Sequence, residues 1–116
     1  MKNKKIALID FRQTNLFLSA AYTVTGIADK AFSGNKKLKS VTIGKNVTSI
    51  GKEAFRNCKN LNKITLKSTK LTKNSIGKNA LKGTNKNLVI KVPKSKVKDY
   101  QKYFKNKGNT KVKVKK

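Results

Sequence analysis

The sequence predicts an α+β repeat solenoid of about three stacked units, and three observations lead to this prediction. Apolar residues return at fixed intervals of 23 or 26 residues along the 116-residue chain. Each unit contains a stretch in which apolar and polar residues alternate, which is typical of a short β-strand. The extra residues of the longer unit fall in a polar stretch, where a surface loop tolerates insertions. Because one such unit cannot bury its own apolar side, we expect the units to stack around a continuous core.

The repeat is clearest in a pair of residues that we expect to enter the core. Ala31-Phe32 returns as Ala54-Phe55 after 23 residues and as Ala80-Leu81 after a further 26. We expect each pair to lie on a short helix or helical turn and to stack on the pair of the next unit. Strand positions that follow at the same offsets are Val41, Ile64 and Ile90, and then Ile43, Leu66 and Val92.

Three segments follow from this pattern. Residues 22–93 hold the repeats, and residues 1–21 precede them as a possible hairpin cap, with strands over 6–11 and 16–24. Residues 94–116 form a C-terminal cap with a basic tail. In this cap, Ser95 is placed to start a helix over 96–107, Gly108 to end it, and residues 110–114 to add a closing strand.

The predicted C-terminal helix has one apolar face. Val97, Tyr100 and Phe104 are three and four residues apart, a spacing that places side chains on the same side of a helix. The terminal units of a repeat array need such a cover for their apolar ends. We therefore expect this helix to serve as a cap rather than as a binding element.

The second unit carries the pattern most fully, in the sequence IGKEAFRNCKNLNKITL of residues 50–66. This pattern resembles the BspA-like (Treponema pallidum-type) leucine-rich repeat of bacterial surface proteins, and the resemblance covers Tyr22 to about Val114. It implies a short leucine-rich-repeat array within a curved solenoid, often in large secreted or wall-attached proteins that act as adhesins. The third unit departs from the pattern, with Leu81 in place of Phe and Thr84 in place of Cys.

The charge of the chain is strongly positive. Lysine and arginine number 30 against four acids, which gives a formal net charge of +26. Such a charge favours polyanionic partners such as nucleic acid, a cell-wall polymer, an anionic glycan or an anionic membrane surface. An A/T-rich genome, which enriches lysine and asparagine codons, is an equally good explanation of its origin.

The composition excludes several kinds of catalytic site. The chain has no histidine, and its one cysteine, Cys58, cannot form an internal disulfide. The acids are Asp10, Asp29, Glu53 and Asp99. The repeat register sets Asp29 beside Lys52 and Lys30 beside Glu53, which favours charge pairing over acid–base catalysis.

Cys58 aligns with small residues of the other units, so we expect it to fill a small buried space. Metal-ligand clusters and glycine-rich phosphate loops are absent from the sequence. We therefore predict that the chain is not an enzyme and that it has no catalytic residue, no metal site and no cofactor.

A candidate ligand surface remains on the predicted strands. Between their apolar positions, Thr42, Thr65 and Lys91 are expected to point outward in register, flanked by Lys39 and Lys63. These five residues are the candidate ligand-binding residues, although solvated strand residues would show the same pattern. The lysines of the tail, such as Lys111, Lys113 and Lys115, are expected to lie away from this face.

Two functions remain open at this point. The first is a non-enzymatic binding or adhesion module of a bacterial surface or secreted protein, with a protein or an anionic glycan or wall polymer as partner. The alternative is a basic protein that binds nucleic acid non-specifically, because arginine, which reads guanine, is nearly absent. The ligand and the oligomeric state are left open.

The predicted location follows from the family resemblance alone. The N-terminus begins with lysines and Ile6-Ala7-Leu8-Ile9, but Asp10 and further polar residues interrupt the apolar run. A signal peptide needs roughly 7–15 apolar residues in a row. The chain therefore has no convincing signal peptide, and we expect no insertion into a membrane.

Overall fold

The structure, a computed structural model, describes residues 3–6, 15–18 and 23–116, with side chains from Thr25 onward. Short strands, one α-helix and tight turns make up these residues. The elements in chain order are β1 (Asn3–Ile6), β2 (Asn15–Leu18), β3 (Thr23–Ile27), β4 (Ser40–Ile43), β5 (Lys63–Leu66), β6 (Val89–Lys91), α1 (Val97–Phe104) and β7 (Lys113–Lys115).

A parallel sheet runs the length of the described part of the chain. Its strand order is β2-β4-β5-β6-β7, so each strand pairs with the one contributed by the next unit. Val41 is the register partner of Ile64, and Ile64 is the partner of Ile90. The offsets of 23 and 26 found in the sequence are therefore the strand registers of the sheet, which confirms the strand alignment.

A second, weaker ladder runs beside the sheet. Strands β1 and β3 pair in parallel, and the ladder continues as single bridges from Ile27 to Ile50 and from Ile50 to Ile76. The hairpin cap predicted for residues 1–21 lies largely outside the described residues. The parts that are described, β1 and β2, pair in parallel with β3 and β4, so the hairpin and the three-segment division stay predictions.

The segments predicted as helical turns are not helical, and this prediction is corrected. In the second unit the Ala54 and Arg56 amides donate to carbonyls three residues earlier, as in consecutive tight turns. Glu53 has a φ of 56° and Asn57 a φ of 61°, values that no right-handed helix contains. Positive φ also occurs at the equivalent positions of the neighbouring units, Lys30, Gly34, Asn79 and Gly83.

These turns leave amides free to join neighbouring units. The Phe32 amide donates to the Ala54 carbonyl at 2.8 Å, the Phe55 amide to the Ala80 carbonyl at 2.9 Å, and the Leu81 amide to the Lys107 carbonyl at 2.8 Å. An α-helix would consume these amides internally. The turn conformation is therefore the one that lets successive units bond edge to edge through their backbones.

The core follows the columns that the repeat predicts. Phe32 and Phe55 are fully buried, and their rings stack in parallel with centroids 5.4 Å apart. Leu81 continues this column and is 1 % exposed. The inward strand positions, the alternate residues of β4, β5 and β6, are buried in the same core.

The C-terminal helix caps this core, although its ends differ from the prediction. Tyr100 and Phe104 are buried as predicted, and Val97 is partly buried against the core. The Tyr100 hydroxyl donates to the Ser68 carbonyl at 2.9 Å and accepts from the Leu71 amide at 3.2 Å. These bonds fix α1 over the loop that follows β5.

Ser95 and Gly108 do not mark the ends of α1. Ser95 lies inside a 3₁₀ turn, Lys94–Lys96, and the helix has no side-chain cap at its start. The helix ends at Phe104, where the backbone becomes extended at Lys105. Gly108 instead belongs to the turn that stacks on the third unit, where a Cβ would lie 2.6 Å from Lys82.

The predicted count of about three units is not confirmed. Strands β2 and β7 extend the sheet on both sides of the three units found by sequence. The unit that ends in β7 lacks the alanine–aromatic pair and has α1 inserted after β6. Its relation to the repeat shows in the strand register, in which Val114 pairs with Ile90, and in the bond from the Leu81 amide to the Lys107 carbonyl.

Candidate ligand-binding face

The outer side of the sheet presents alternate residues of four strands. Their inward neighbours are buried, whereas these residues are half-buried or exposed. We call this surface the outward face, and it consists of Ser40, Thr42, Lys63, Thr65, Val89, Lys91, Lys113 and Lys115.

The outward face contains two rows that cross the strands. One row is Ser40, Lys63, Val89 and Lys113, and the other is Thr42, Thr65, Lys91 and Lys115. Neighbouring members of a row lie on adjacent strands, which in a sheet are about 4.8 Å apart.

The structure brings together four of the five candidate residues. Thr42, Thr65 and Lys91 are register partners in one row, as predicted. Lys63 lies in the other row, opposite Ser40. Lys39 precedes β4, where its carbonyl accepts the Asn62 amide at 3.0 Å, so it is level with Asn62 and belongs to neither row.

Two lysines that we expected in the tail, away from the strands, lie on the outward face. Lys113 and Lys115 belong to β7, and Lys115 is the register partner of Lys91. The tail is therefore part of the candidate surface, which corrects the expectation that its lysines lie elsewhere. The signal was present in the alternation Lys113-Val114-Lys115, because the buried Val114 follows Ile90 by 24 residues.

The positive charge of the outward face is concentrated at its C-terminal end. Strand β4 contributes only uncharged side chains, whereas β6 and β7 contribute Lys91, Lys113 and Lys115, which we call the lysine cluster. Like charges directly opposite one another destabilise a strand pair. Two unit charges 6 Å apart in water repel by about 0.7 kcal/mol, so the cluster attracts counterions.

A cleft adjoins the lysine cluster between α1 and β7. Its volume is about 640 Å³, and Lys115 is part of its wall. The other charged residues of the wall are Lys94, Lys98, Asp99 and Lys116. The wall of the cleft thus has one acidic side chain and four lysines. The positive potential of the outward face therefore continues past the edge of the sheet into the cleft.

The acids of the turns are paired, in contrast to the lysine cluster. The Glu53 carboxylate accepts a hydrogen bond from the Arg56 guanidinium and lies 3.9 Å from the Lys30 ammonium. The hydrogen bond from Arg56 lowers the pKa of Glu53 below its ordinary value, and the nearby positive charges act in the same direction. The pairing of Lys30 with Glu53 predicted from the repeat register is thereby confirmed.

Asp29 meets its predicted neighbour in a different way. Its carboxylate accepts the backbone amide of Lys52 at 2.8 Å, so the bond is to the main chain of Lys52 and not to its ammonium. Asp10 lies outside the described residues. Asp29 and Glu53 therefore serve the contact between the first and second units.

Cys58 is fully buried, as the sequence predicts. Its thiol donates to the Phe32 carbonyl at 3.0 Å, and burial raises its pKa to about 11. A thiol in this state stays protonated at neutral pH and is a poor nucleophile. Cys58 therefore acts in packing between two units.

The described residues contain no group of three or more side chains that could hold a metal ion. None of the described helices is both long enough and apolar enough to cross a bilayer.

Comparison with known families decides the identity of the repeat. A family model described as the BspA-type leucine-rich repeat region (6 copies) matches residues 5–116. The chain belongs to the BspA-type leucine-rich repeat family. No curated protein and no solved structure gave a match to the chain.

Membership of the BspA-type family confirms the resemblance inferred from residues 50–66. The match begins at residue 5 and includes α1 and β7. The outward face described above is thus the exposed side of a BspA-type sheet in which neighbouring units stand in parallel register.

Proposed function

We propose that this chain is a non-enzymatic binding or adhesion module of a bacterial surface or secreted protein. Its repeats stack as a short curved solenoid, and its ligand lies on the outward face. The ligand is a protein, an anionic glycan or a cell-wall polymer. The proposal includes no catalytic residue, no metal and no cofactor.

The observation that carries this proposal is the register of the outward face. Thr42, Thr65 and Lys91 come from three consecutive units and stand side by side at intervals of one strand. The main contacts of β4 and β5 are with neighbouring strands, and the described helix contacts β7 at the end of the sheet. A regular surface of half-buried and exposed side chains suits an extended ligand.

The assignment of other reactive groups to structural contacts also supports a binding role. Glu53 is held by Arg56, the Asp29 carboxylate is bonded to a backbone amide, and the Cys58 thiol is buried and protonated. General acid–base and nucleophilic catalysis both need a titratable group that meets a substrate. These three groups are engaged within the repeat stack instead.

The proposed location rests on the family. BspA-type repeats are typical of extracellular proteins, and this supports a surface or secreted parent for the chain. An exposed face that binds host or wall components fits that location.

A pair of charge insertions tests whether the outward face binds. The variant Thr42→Glu with Thr65→Glu places two carboxylates side by side in one row. The matched control, Thr48→Glu with Thr69→Glu, adds the same charge at two exposed threonines outside the sheet. Beads coated with each protein are measured for adhesion to a panel of matrix proteins, glycans and wall polymers at about 0.15 M salt.

We expect the parent and the control to adhere to the same surfaces and the outward-face variant to lose most of this adhesion. Equal losses in the two variants would contradict a ligand site on the outward face. Turnover of a panel component that is abolished by Asp29→Asn with Glu53→Gln would contradict the non-enzymatic proposal.

Non-specific binding of nucleic acid is the second candidate, and the net charge of +26 favours it. The outward residues of β4 to β7 include no aromatic side chain on which a base can stack, and the guanidinium of Arg56 is bonded to Glu53. We therefore propose only weak, salt-sensitive binding to nucleic acid. Sequence-selective binding that persists at about 0.3 M salt would favour this candidate instead.

A further inference from the structure

We infer that the lysine cluster of Lys91, Lys113 and Lys115 binds a linear polyol-phosphate polymer of the teichoic acid class. This inference rests on the proposed function, because it names the ligand class of the same outward face. It also moves the centre of the site from the middle of the sheet to its C-terminal end, where β6 and β7 pair.

The spacing of the cluster suits a chain of regularly spaced phosphates. Lys91 and Lys115 are register partners on adjacent strands, so their backbones are about 4.8 Å apart. Lys113 and Lys115 are separated by two residues of one strand, about 6.6 Å. A flexible polymer with one phosphate per short polyol unit can place successive charges at such intervals along and across the strands.

The cluster differs from Lys30 in its electrostatic surroundings. Lys30 lies beside Glu53, so part of its charge is balanced inside the repeat stack. The lysines of β6 and β7 lie on the same side of this strand pair. The acidic side chain in the wall of the adjoining cleft is Asp99. Each phosphate that binds there removes repulsion between like charges that the fold itself has placed in register.

The remaining outward side chains favour a polymer without flat rings. Thr65 and Val89 border the cluster, and neither offers an aromatic surface for a base or a sugar ring. Lysine acts as a mobile point charge, whereas base recognition in duplexes relies on the planar guanidinium of arginine. A flexible phosphodiester chain therefore matches this surface better than nucleic acid does.

The cleft between α1 and β7 extends the surface beyond the sheet edge. Lys94, Lys98 and Lys116 line it together with Lys115, which also belongs to the outward face. A polymer that crosses β6 and β7 therefore meets further positive charge where it leaves the sheet.

Two triple variants separate a site from a general effect of charge. The first is Lys91→Gln with Lys113→Gln and Lys115→Gln. The control is Lys36→Gln with Lys59→Gln and Lys86→Gln, which removes the same charge from exposed lysines in the loops between the turns and the strands. A third variant replaces the cluster lysines by arginine, which keeps the charge, and melting curves establish that each variant is folded.

The affinity for purified poly(glycerol phosphate) teichoic acid is measured for every variant between about 0.05 and 0.5 M salt. For a flexible polyanion each lost contact lowers the slope of log affinity against log salt by about 0.7. We expect the cluster variant to lose about 2 from the slope and about 100-fold in affinity at the low-salt end. The loop control should lose less than about fivefold, and the arginine variant should bind like the parent.

Equal losses in the cluster variant and the loop control would overturn the inference. A loss confined to single-stranded DNA or to heparin, measured in parallel, would overturn the ligand class in favour of nucleic acid or a sulfated glycan. If the glutamine triple does not fold, Lys91→Gln with Lys115→Gln is compared with Lys36→Gln with Lys59→Gln by the same criterion.

A failure of this inference can be distinguished from a failure of the proposed function. In one outcome, the cluster variant and the loop control lose equal affinity for the polymer while Thr42→Glu with Thr65→Glu still weakens the binding of a protein ligand. That result would leave the binding module in place and exclude only the polymer as its ligand. Failure of both experiments would remove the outward face as a ligand site.

Discussion

The turns and the outward face differ in whether their charged side chains have partners of opposite charge. In the turns, Glu53 meets Arg56 and Lys30, and Asp29 accepts a backbone amide of the next unit. On the outward face, Lys91, Lys113 and Lys115 stand together on two paired strands. Both regions come from the same repeat, yet the acids of the turns are paired within the protein, whereas the lysines of the two outward rows have no acidic side chain beside them in register.

The difference separates what holds the repeats together from what the repeats can bind. Contacts between turns are made by backbone hydrogen bonds, stacked rings and paired acids, all of which are satisfied internally. The outward face adds little to the core, and its charged groups at β6 and β7 gain most from an external partner. Variants in the two regions should therefore differ in which property they change.

The largest effect on stability is expected at the centre of the turn column. Phe55→Ala removes a fully buried ring that stacks on Phe32, and it should lower the free energy of unfolding by roughly 3–5 kcal/mol. Urea or thermal denaturation measures this loss. Val89→Ala on the outward face is the control, and a similar loss there would show that the two regions are not distinct.

A smaller effect is expected from the titration of Glu53. Because the folded-state pKa of Glu53 lies below its ordinary value of 4.5, its contribution to stability is present at neutral pH. The contribution is lost as the pH falls through that folded-state pKa. Denaturation midpoints measured from pH 7 down to about pH 3 should therefore fall more in the parent than in Glu53→Gln.

The exposed Asp99 provides the control for this experiment. Asp99→Asn should keep the acid-dependent loss of stability that Glu53→Gln reduces. If Glu53→Gln and the parent lose stability in parallel over the acid range, the pairing of charges in the turns contributes nothing, and the contrast between the two regions fails.

The smallest effect is expected within the lysine cluster. Lys115→Gln removes one of two like charges that face each other across β6 and β7, so it should stabilise the protein by about 0.2–1 kcal/mol at low salt. The gain should shrink as salt screens the pair. Lys45→Gln removes an equal charge from an exposed loop, and an equal gain there would assign the effect to net charge alone.

The sequence predicts the repeated strands better than the segments between them. Strand register follows from apolar spacing, so Val41, Ile64 and Ile90 are correctly aligned without a structure. The turns have a weaker signal. One left-handed position is occupied by Gly34, Asn57 and Gly83, residue types that adopt this conformation readily, but the other is occupied by Lys30, Glu53 and Asn79. No glycine marks that other position, and its conformation accompanies bonds between units that a single segment cannot show.

The candidate site, too, is predicted from the sequence only where the repeat pattern is regular. Thr42, Thr65 and Lys91 share an obvious repeat position and lie in one row, as predicted. Lys113 and Lys115 belong to a unit whose pattern is interrupted by α1, so their place on the outward face appears only when β7 pairs with β6. Lys39 flanks the predicted strand in the sequence, and its position before β4 keeps it out of the rows.

The central claim is that the ligand binds on the outward face at β6 and β7, and backbone amide NMR tests it most directly. Labelled parent protein is titrated with poly(glycerol phosphate) teichoic acid at about 0.15 M salt, a concentration that screens exposed charges beyond about 8 Å. We predict that the largest shifts occur at residues 63–66, 89–91 and 113–115. Shifts concentrated in the turns at residues 51–58 and 77–84, or spread evenly over all lysines, would contradict the claim.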